Sequence, residues 1–360
     1  MLKNNITDVM AGAYHTCAVV DRVLNCWGAN AYGQLGNGVP APVVGPEVVA
    51  PAPGTPVAVG LGWRHGCGTW AGETFCWGNG EALQTGNLSE PVFSPPLMFS
   101  TPLSVAMLAA GQRHTCALNA GSVICWGDGW DGQLGTAYLD ASSATPVTIP
   151  GLPPSGIVDL VAAGWTSCVH DGTKIYCWGA NNEGQAGVDP ATSPAPPGSI
   201  TASFTSVSAI TLGPSHGCAV VNTEGNIGCW GSNWLGELGP LATFGSDVFS
   251  LVTTDEDTTT PIKGFTSVAA GAEFSCGLKN DGSVWCWGSH LAFEHSSIEP
   301  YDPVPKPVPG VFDATKLVAG YTHACAQTTA GALTCWGETS LGQLGAHPDA
   351  PTRKPTIVWP

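Results

Sequence analysis

Residues 11–36 read AGAYHTCAVVDRVLNCWGANAYGQLG, and the rest of the chain repeats this stretch. The tripeptide Cys-Trp-Gly occurs seven times, at intervals of 49 to 57 residues. Each copy has a second cysteine upstream, so the seven pairs use all 14 cysteines of the 360-residue chain. A constant period of this length indicates one supersecondary unit that is repeated seven times.

The sequence of each unit predicts four short β-strands. In the third copy, residues 105–110 are apolar, and two β-type runs flank the hairpin signal Asn119-Ala120-Gly121-Ser122. Residues 145–149 predict a fourth strand, and Pro146 places it at the edge of a sheet because proline cannot donate to a central ladder.

Seven four-stranded units predict an all-β fold, a seven-bladed β-propeller with four-stranded antiparallel blades, as one domain over residues 1–360. A linear β-solenoid is the alternative, but its coils are usually shorter and its end repeats atypical. The approximate repeats are 1–55, 56–103, 104–156, 157–206, 207–263, 264–313 and 314–360.

The pattern Ala-Gly-x-x-His-x-Cys…Cys-Trp-Gly-x-Asn-x-x-Gly-Gln-Leu-Gly resembles the regulator of chromosome condensation repeat, and residues 11–36 match it almost throughout. The resemblance covers essentially the whole chain. It implies a seven-bladed ring with two opposed faces around a narrow shaft. Three copies depart from the pattern. The second reads Glu81-Ala82-Leu83-Gln84-Thr85-Gly86 in its loop, and the fourth lacks the histidine. The sixth has Phe274 in place of the histidine, and its loop at residues 289–296 has lost the Gly-Gln-Leu-Gly ending.

The paired cysteines favour disulfide bonds within each blade. With a two-residue turn at Ala120-Gly121, Cys116 and Cys125 lie directly opposite across a hairpin, at a separation that a disulfide tolerates. In the last three copies a longer turn or bulge has to absorb a wider spacing. The predicted pairs are Cys17–Cys26, Cys67–Cys76, Cys116–Cys125, Cys168–Cys177, Cys218–Cys229, Cys276–Cys286 and Cys325–Cys335.

Buried free thiols are the alternative to these bridges, and zinc is disfavoured because each hairpin supplies only half a tetrahedral site. Bridged cysteines predict an oxidising compartment, and therefore an extracellular or cell-surface protein whose signal is not part of this numbering. Reduced cysteines would instead predict a cytoplasmic protein.

The charge balance narrows the class of partner. The chain has 27 acidic and 11 basic residues, a formal net charge of −16. Nucleic acid binds through clustered Lys and Arg, so we expect no nucleic-acid partner. We also expect no membrane insertion, because no apolar stretch is long enough.

No sequence motif predicts catalysis, a metal or a cofactor. Gly213-Pro214-Ser215-His216-Gly217 matches a nucleophile elbow formally, but it is the fifth copy of the histidine turn. Histidine recurs two residues before cysteine, at His15, His65, His114, His216 and His323. The resemblance to the repeat family implies that this position belongs to the consensus turn, so we expect a side-chain hydrogen bond within the turn rather than metal binding.

The turns after the first strand predict a partner-binding face, because ring geometry would bring them together around one shaft opening. Aromatic residues and arginine are the usual anchors of protein interfaces. The predicted face residues are Tyr14, Trp63, Arg64, Gln112, Arg113, Trp165, Glu273, Phe274 and Tyr321. Trp130 and Trp234 lie in the loops after Cys-Trp-Gly.

These observations favour a non-enzymatic scaffold that binds a protein through one face. Two other functions stay open at this point: an enzyme with a site at the shaft opening, and a glycan-binding module, since exposed aromatic rings stack on sugars.

Overall fold

The computed structural model describes residues 6–41, 44–49, 54–87, 94–99, 103, 105–136, 142–200, 202–242, 246–255, 259–289, 301–345 and 355–359. They form seven four-stranded antiparallel sheets, each built from four consecutive strands. The fold is a seven-bladed β-propeller, as predicted. The limits of the seven repeats stay a prediction.

The first strand of each blade lines the central shaft. These strands are β1 (Ile6–Ala11), β5 (Ala58–Leu61), β9 (Val105–Ala110), β13 (Asp159–Ala163), β17 (Val207–Leu212), β21 (Phe265–Ala270) and β25 (Ala314–Ala319).

The second and third strands form the cysteine hairpin at the centre of each blade. The second strands are β2 (His15–Val20), β6 (His65–Trp70), β10 (His114–Asn119), β14 (Thr166–His170), β18 (His216–Val221), β22 (Phe274–Lys279) and β26 (His323–Thr328). The third strands are β3 (Val23–Gly28), β7 (Glu73–Gly78), β11 (Ser122–Gly127), β15 (Ile175–Gly179), β19 (Asn226–Gly231), β23 (Val284–Ser289) and β27 (Leu333–Gly337).

The fourth strand is the outer edge of each blade, and Pro146 lies in one of them, as its missing N–H requires. These strands are β4 (Val44–Val48), β8 (Ser94–Met98), β12 (Ser143–Thr148), β16 (Ala195–Ser199), β20 (Ser246–Leu251), β24 (Tyr301–Pro307) and β28 (Thr356–Trp359). The described residues contain no helix that could span a bilayer.

The blades are held together by apolar contacts between neighbours. Leu24 and Val49 of the first blade, for example, pack in one cluster with Trp77 of the second. The tryptophans of all seven Cys-Trp-Gly copies are fully buried. Six of their indole N–H groups donate to a main-chain carbonyl of the preceding blade, at 2.9–3.1 Å. The acceptor is the Gln of the Gly-Gln-Leu-Gly loop or the residue that corresponds to it, which is Glu237 in the fifth blade.

The indole of Trp336 is the seventh, and its Nε1 has no acceptor among the described residues. The loop that would supply one belongs to the sixth blade, whose sequence has lost the Gly-Gln-Leu-Gly ending. Residues 290–300 of that loop lie outside the described residues.

Each cysteine pair lies across its hairpin, with the two Cα atoms 4.1 Å apart and the two sulfurs at bonding distance. Cys116 and Cys125 are directly opposite in the strand register, as the two-residue turn requires. Cys218 and Cys229 are also opposite, although they are 11 positions apart, because residues 222–225 form a longer turn.

Candidate functional site

The alternating direction of the strands gives the propeller two chemically distinct faces. The turns between first and second strands emerge at the same end of each blade as the loops between third and fourth strands. We call this end the loop face. The opposite end carries the cysteine-hairpin turns and the connections between blades, and we call it the hairpin face.

The turns of the loop face meet around one end of the shaft. A side-chain carbon on Gly62 would lie 2.5 Å from the carbonyl oxygen of Gly111 in the next blade, so neighbouring turns approach more closely than any residue with a Cβ allows. The cavity that they surround has a volume of about 80 Å³. Glycine at this position of the repeat is therefore what narrows the opening.

Main-chain hydrogen bonds link these turns around the opening. The N–H of Ala13 donates to Gly62 O at 3.2 Å, and the N–H of Trp63 donates to Gly111 O at 3.2 Å. Three further bonds of the same kind run from Gln112 to Gly164, from Ala272 to Tyr321 and from Tyr321 to Ala13. Pro214 has no N–H to contribute in the fifth blade. The backbone around the opening is thus braced over most of the ring.

Three aromatic side chains from neighbouring blades form a cluster at this opening. The rings of Trp63 and Tyr321 are stacked, with centroids 5.9 Å apart and an interplanar angle of 4°. Tyr14 lies between them in the ring of blades, 6.4 Å from Trp63 and 5.5 Å from Tyr321. Burial is the main cause that raises the pKa of Tyr321 to about 12, and the nearby Tyr14 is the second cause. The hydroxyl of Tyr321 is therefore protonated at neutral pH.

Arginine is placed beside these rings. The guanidinium carbon of Arg64 lies 4.2 Å from the centroid of Tyr32 and 4.9 Å from that of Trp63. These are cation–π distances. Arg113 is exposed and forms an ion pair with the largely buried Asp128, with 3.3 Å between Nε and Oδ2.

The structure brings Tyr14, Trp63, Arg64 and Tyr321 together. Gln112 is only 8% exposed and lines the cavity at the opening. Trp165, Arg113 and Glu273 lie in the corresponding turns of the fourth, third and sixth blades.

The inclusion of Phe274 in the face is wrong. Its side chain is 2% exposed and packs between the sixth and seventh blades, beside Ala324. Phe274 occupies the repeat's histidine position, the first residue of the second strand, and that position points into the blade interface.

Sequence reasoning missed Tyr32 and did not assign Trp130 and Trp234 to the face. The two tryptophans are 63% and 67% exposed, and each stands three residues after the glycine of Cys-Trp-Gly. That shared position in a loop of the same face is the signal that would have included them.

The repeated histidines are buried between blades, and their contacts differ from the expected bond within the turn. The turn itself is closed by the main chain, as in the bond from Gly12 N to His15 O. The imidazole Nε2 instead contacts a hydroxyl of the next blade. These contacts are His65–Thr115 at 2.9 Å, His114–Ser167 at 2.8 Å, His216–Ser275 at 3.0 Å and His323–Thr16 at 2.8 Å.

The protonation state of these histidines follows from the hydroxyls. Thr16 Oγ1 donates to the carbonyl oxygen of Gln343, so its remaining interaction with His323 must accept a proton from Nε2. Burial lowers the pKa of His65, His114 and His323 to about 3 and that of His15 to about 4. These imidazoles are therefore neutral. Thr115 and Ser275 also donate to a main-chain carbonyl, so His65 and His216, like His323, carry a proton on Nε2. The described residues hold no cluster of three or more potential metal-ligating His, Cys, Asp or Glu side chains.

The shaft is wider away from this opening. The cavity that the first strands enclose there has a volume of about 370 Å³. Its lining there includes Lys316, which pairs with Asp8 of the first blade, and Asp159 of the fourth blade. Burial raises the pKa of Asp159.

Comparisons with known proteins agree with this architecture. Residues 120–170 and residues 265–290 match the family model of the regulator of chromosome condensation (RCC1) repeat. The chain is 26% identical to the mouse secretion-regulating guanine nucleotide exchange factor, over 61% of this chain and 49% of that protein. It is 29% identical to the ultraviolet-B receptor UVR8 of Arabidopsis thaliana, over 60% of this chain and 49% of the receptor. The chain spans about half the length of these two relatives.

Solved structures show the same fold. Human WBSCR16 has a TM-score of 0.79 at 19% identity and covers 94% of this chain and 93% of its own. Yeast RCC1 (Prp20), solved with Kap60 bound, has a TM-score of 0.77 at 19% identity, over 94% of this chain and 83% of that one. At these identities the likeness concerns the fold alone.

Proposed function

Because this chain is a regulator of chromosome condensation repeat protein, we propose that it is a non-enzymatic scaffold that binds another protein through its loop face. The observation that carries the proposal is the cluster of Tyr14, Trp63 and Tyr321 at the shaft opening, with Arg64 against it. Large aromatic rings and arginine at the centre of a surface are typical of interface residues with high binding energy.

Two further features support this role. The indole Nε1 of Trp63 is buried and has no acceptor among the described residues, so a side-chain rearrangement that exposed it to a partner carbonyl would satisfy a polar group now left without a partner. The belt of main-chain hydrogen bonds holds the rings in place before binding, which lowers the entropy lost on association. A propeller of this fold, yeast RCC1, has been solved with a protein, Kap60, bound to it.

The residues that line the opening form a surface against which a partner can pack, and they are not the acids and bases that catalysis commonly uses. Glycine and alanine make up most of it, together with Trp63, Gln112 and Tyr321. The histidines of the same repeats point between the blades instead. A glycan that stacks on exposed tryptophan is the other ligand that this surface could take, and the experiment below separates the two.

The test is capture of partners from a panel of purified cell-surface proteins and glycans. We expect a protein to be retained, with Trp63→Ala weakening its binding at least tenfold and Arg64→Ala several-fold. Phe312→Ala is the matched control, because Phe312 is 70% exposed but lies on the hairpin face. Thermal unfolding of each variant shows whether the fold is intact. Retention of glycans alone, or equal affinity of Trp63→Ala, Arg64→Ala and wild type, would contradict the proposal.

We also propose that the protein works in an oxidising compartment outside the cytoplasm. The support is that all 14 cysteines pair within their own hairpins and none is left over. Intact-mass measurement after alkylation without reductant tests this on protein isolated from its own cells. Seven bridges are expected, and 14 alkylated thiols would contradict an exported location.

A further inference from the structure

The loop face combines negative charge with exposed tryptophan. Among the described residues, its turns and loops carry eight acidic residues, of which Asp128 and Glu237 are buried, against two arginines. The acidic residues are Glu81, Asp128, Asp131, Glu183, Asp189, Glu237, Glu273 and Glu338.

The two arginines do little to offset this charge. Arg113 is paired with Asp128, and Arg64 lies over the rings of Tyr32 and Trp63. The pKa of Asp131 is raised by its burial and then by the nearby Asp128, as expected where carboxylates of one loop crowd together. Apart from Asp128, none of these eight carboxylates forms an ion pair within the described part of the chain.

Trp130 and Trp234 stand within this negative surface. Trp130 lies between Asp128 and Asp131 in its loop, and its main-chain N–H donates to Asp128. Trp234 is 67% exposed, and its main-chain N–H donates to the carboxylate of Glu237 in the same loop. An exposed indole ring on a negatively charged face attracts a cation through both the ring quadrupole and the field of the acids.

The hairpin face is less negative than the loop face. Its turns and strand ends carry four cationic side chains, Arg22, Lys174, Lys263 and Lys279, although they also carry the acidic Asp21, Glu73, Asp171, Glu224, Asp255, Asp281 and Asp313. Lys263 pairs with Glu224 at 2.8 Å, and Lys279 lies over the ring of Trp285. A basic ligand would therefore meet twice as many cationic side chains on that face as on the loop face, which carries two.

We infer that the loop face recognises a basic, arginine- or lysine-containing segment of its protein partner, with Trp130 and Trp234 stacking on the cationic side chains and the surrounding carboxylates pairing with them. This inference rests on the proposed function, because it names the chemistry of the partner that the same face binds. Charge complementarity favours a basic peptide over a neutral glycan, since sugar stacking would not need the carboxylates.

The first test measures binding of a fluorescent 12-residue peptide of alternating arginine and glycine by anisotropy. The full chain is titrated at 50 mM and 300 mM NaCl, with a glutamate–glycine peptide and chitotriose as the other probes. We expect the basic peptide alone to bind, and its affinity to fall at least tenfold at the higher salt because exposed charges are screened. Equal binding of the acidic peptide, or binding of chitotriose alone, would overturn the inference.

Paired variants locate the site. Trp130→Ala with Trp234→Ala should weaken the basic peptide at least tenfold, and Phe312→Ala should leave it unchanged. Asp131→Asn with Glu183→Gln should weaken it several-fold, whereas the same removal of two charges on the hairpin face, Glu73→Gln with Asp313→Asn, should not. If both charge pairs weaken binding equally, the peptide responds to net charge only and the inference fails.

The captured partner separates this inference from the proposed function. If Trp63→Ala releases the partner while the Trp130 and Trp234 pair and high salt have no effect, the scaffold function stands and the basic segment is refuted. If none of these changes affects the partner, both are refuted.

Discussion

At the scale of single residues, the side chain at the first position of the second strand has the same polarity as the residue that it faces in the next blade. Histidine faces a hydroxyl at four of the seven blade interfaces. In the fourth blade Thr166 replaces histidine, the next blade has Gly217 at the hydroxyl position, and Thr166 bonds Ala180 O within its own blade. In the sixth blade Phe274 packs beside Ala324. Polar positions meet polar ones because an unpaired buried polar group is costly.

His15 is the exception to this matching, and it carries the first prediction. Both of its ring nitrogens are buried and have no hydrogen-bond partner in the described parts of the chain, and the second blade has Gly66 where a hydroxyl would be. His15→Phe should leave the free energy of unfolding unchanged or raise it, because it removes an unsatisfied polar group. His114→Phe should lower that free energy by about 1–3 kcal/mol, since Ser167 loses its partner. Chemical denaturation of the two variants measures this, and an equal loss in both would refute it.

The buried histidines also predict a dependence of stability on pH. The folded pKa values of His15, His65, His114 and His323 lie at about 3 to 4, below the usual value of 6.5. As the pH falls below 6.5 the unfolded chain takes up protons that the folded one does not, so stability decreases with a slope that approaches about 1.4 kcal/mol per pH unit for each histidine.

Unfolding experiments between pH 7 and pH 5 test this dependence while most carboxylates stay ionised. The His15→Phe variant is the control, and its slope should be smaller because one titrating group is gone. A stability that is constant over this range would show that the imidazoles are not buried as neutral groups.

At the scale of elements, the cysteine hairpin keeps its register whatever the length of its turn. Cys116 and Cys125 are separated by 9 positions and Cys218 and Cys229 by 11, yet each pair is directly opposite. The extra residues are accommodated in the turn because a shift of one residue in the strands would move every buried side chain to the other face.

The prediction at this scale concerns one bridge. Replacing Cys116 and Cys125 together by alanine should lower the free energy of unfolding by about 2–3 kcal/mol, because the bridge closes a loop of roughly ten residues in the unfolded chain. Replacing Cys218 and Cys229 should give nearly the same loss, since the loop is only slightly longer. Denaturation of both double variants under oxidising conditions measures it. A wild-type protein whose stability does not change on adding reductant would contradict the prediction.

At the scale of the whole molecule, the described strands close the ring without any exchange between its first and last blades. The first blade is β1 to β4 and the seventh is β25 to β28. Side chains and main chain make the seam instead: His323 with Thr16, Trp27 Nε1 with Gln343 O, and Gln327 Nε2 with Ile6 O. The ion pair of Lys316 with Asp8 adds little, because both groups are partly exposed.

This closure predicts that the interface between the seventh and first blades contributes as much to the free energy of unfolding as an interface between two other neighbouring blades. His323→Ala and His65→Ala remove the same kind of contact, to Thr16 and Thr115 respectively. Both should lower the free energy of unfolding by about 1–3 kcal/mol. Hydrogen exchange of β1 and β25 should accelerate in the first variant no more than that of β5 and β9 in the second. Selective exchange at the seam in wild type would show that the ring opens there.

The sequence by itself determined the seven blades, the strands within them, the cysteine pairs and the buried tryptophans. These features can be read from the sequence of single repeats and from their number, since the two-residue turn at Ala120 sets the hairpin register and the seven copies give seven blades. It also identified the turns that surround the shaft opening, and most of the residues in them.

Only the tertiary structure decided which side chains meet. The stacking of Trp63 on Tyr321, the burial of Phe274 and the contact of His323 with Thr16 join residues of different blades. Such contacts depend on the angle between blades and on the closure of the ring. No spacing within one repeat encodes these quantities, because the apolar faces that set them belong to two blades at once.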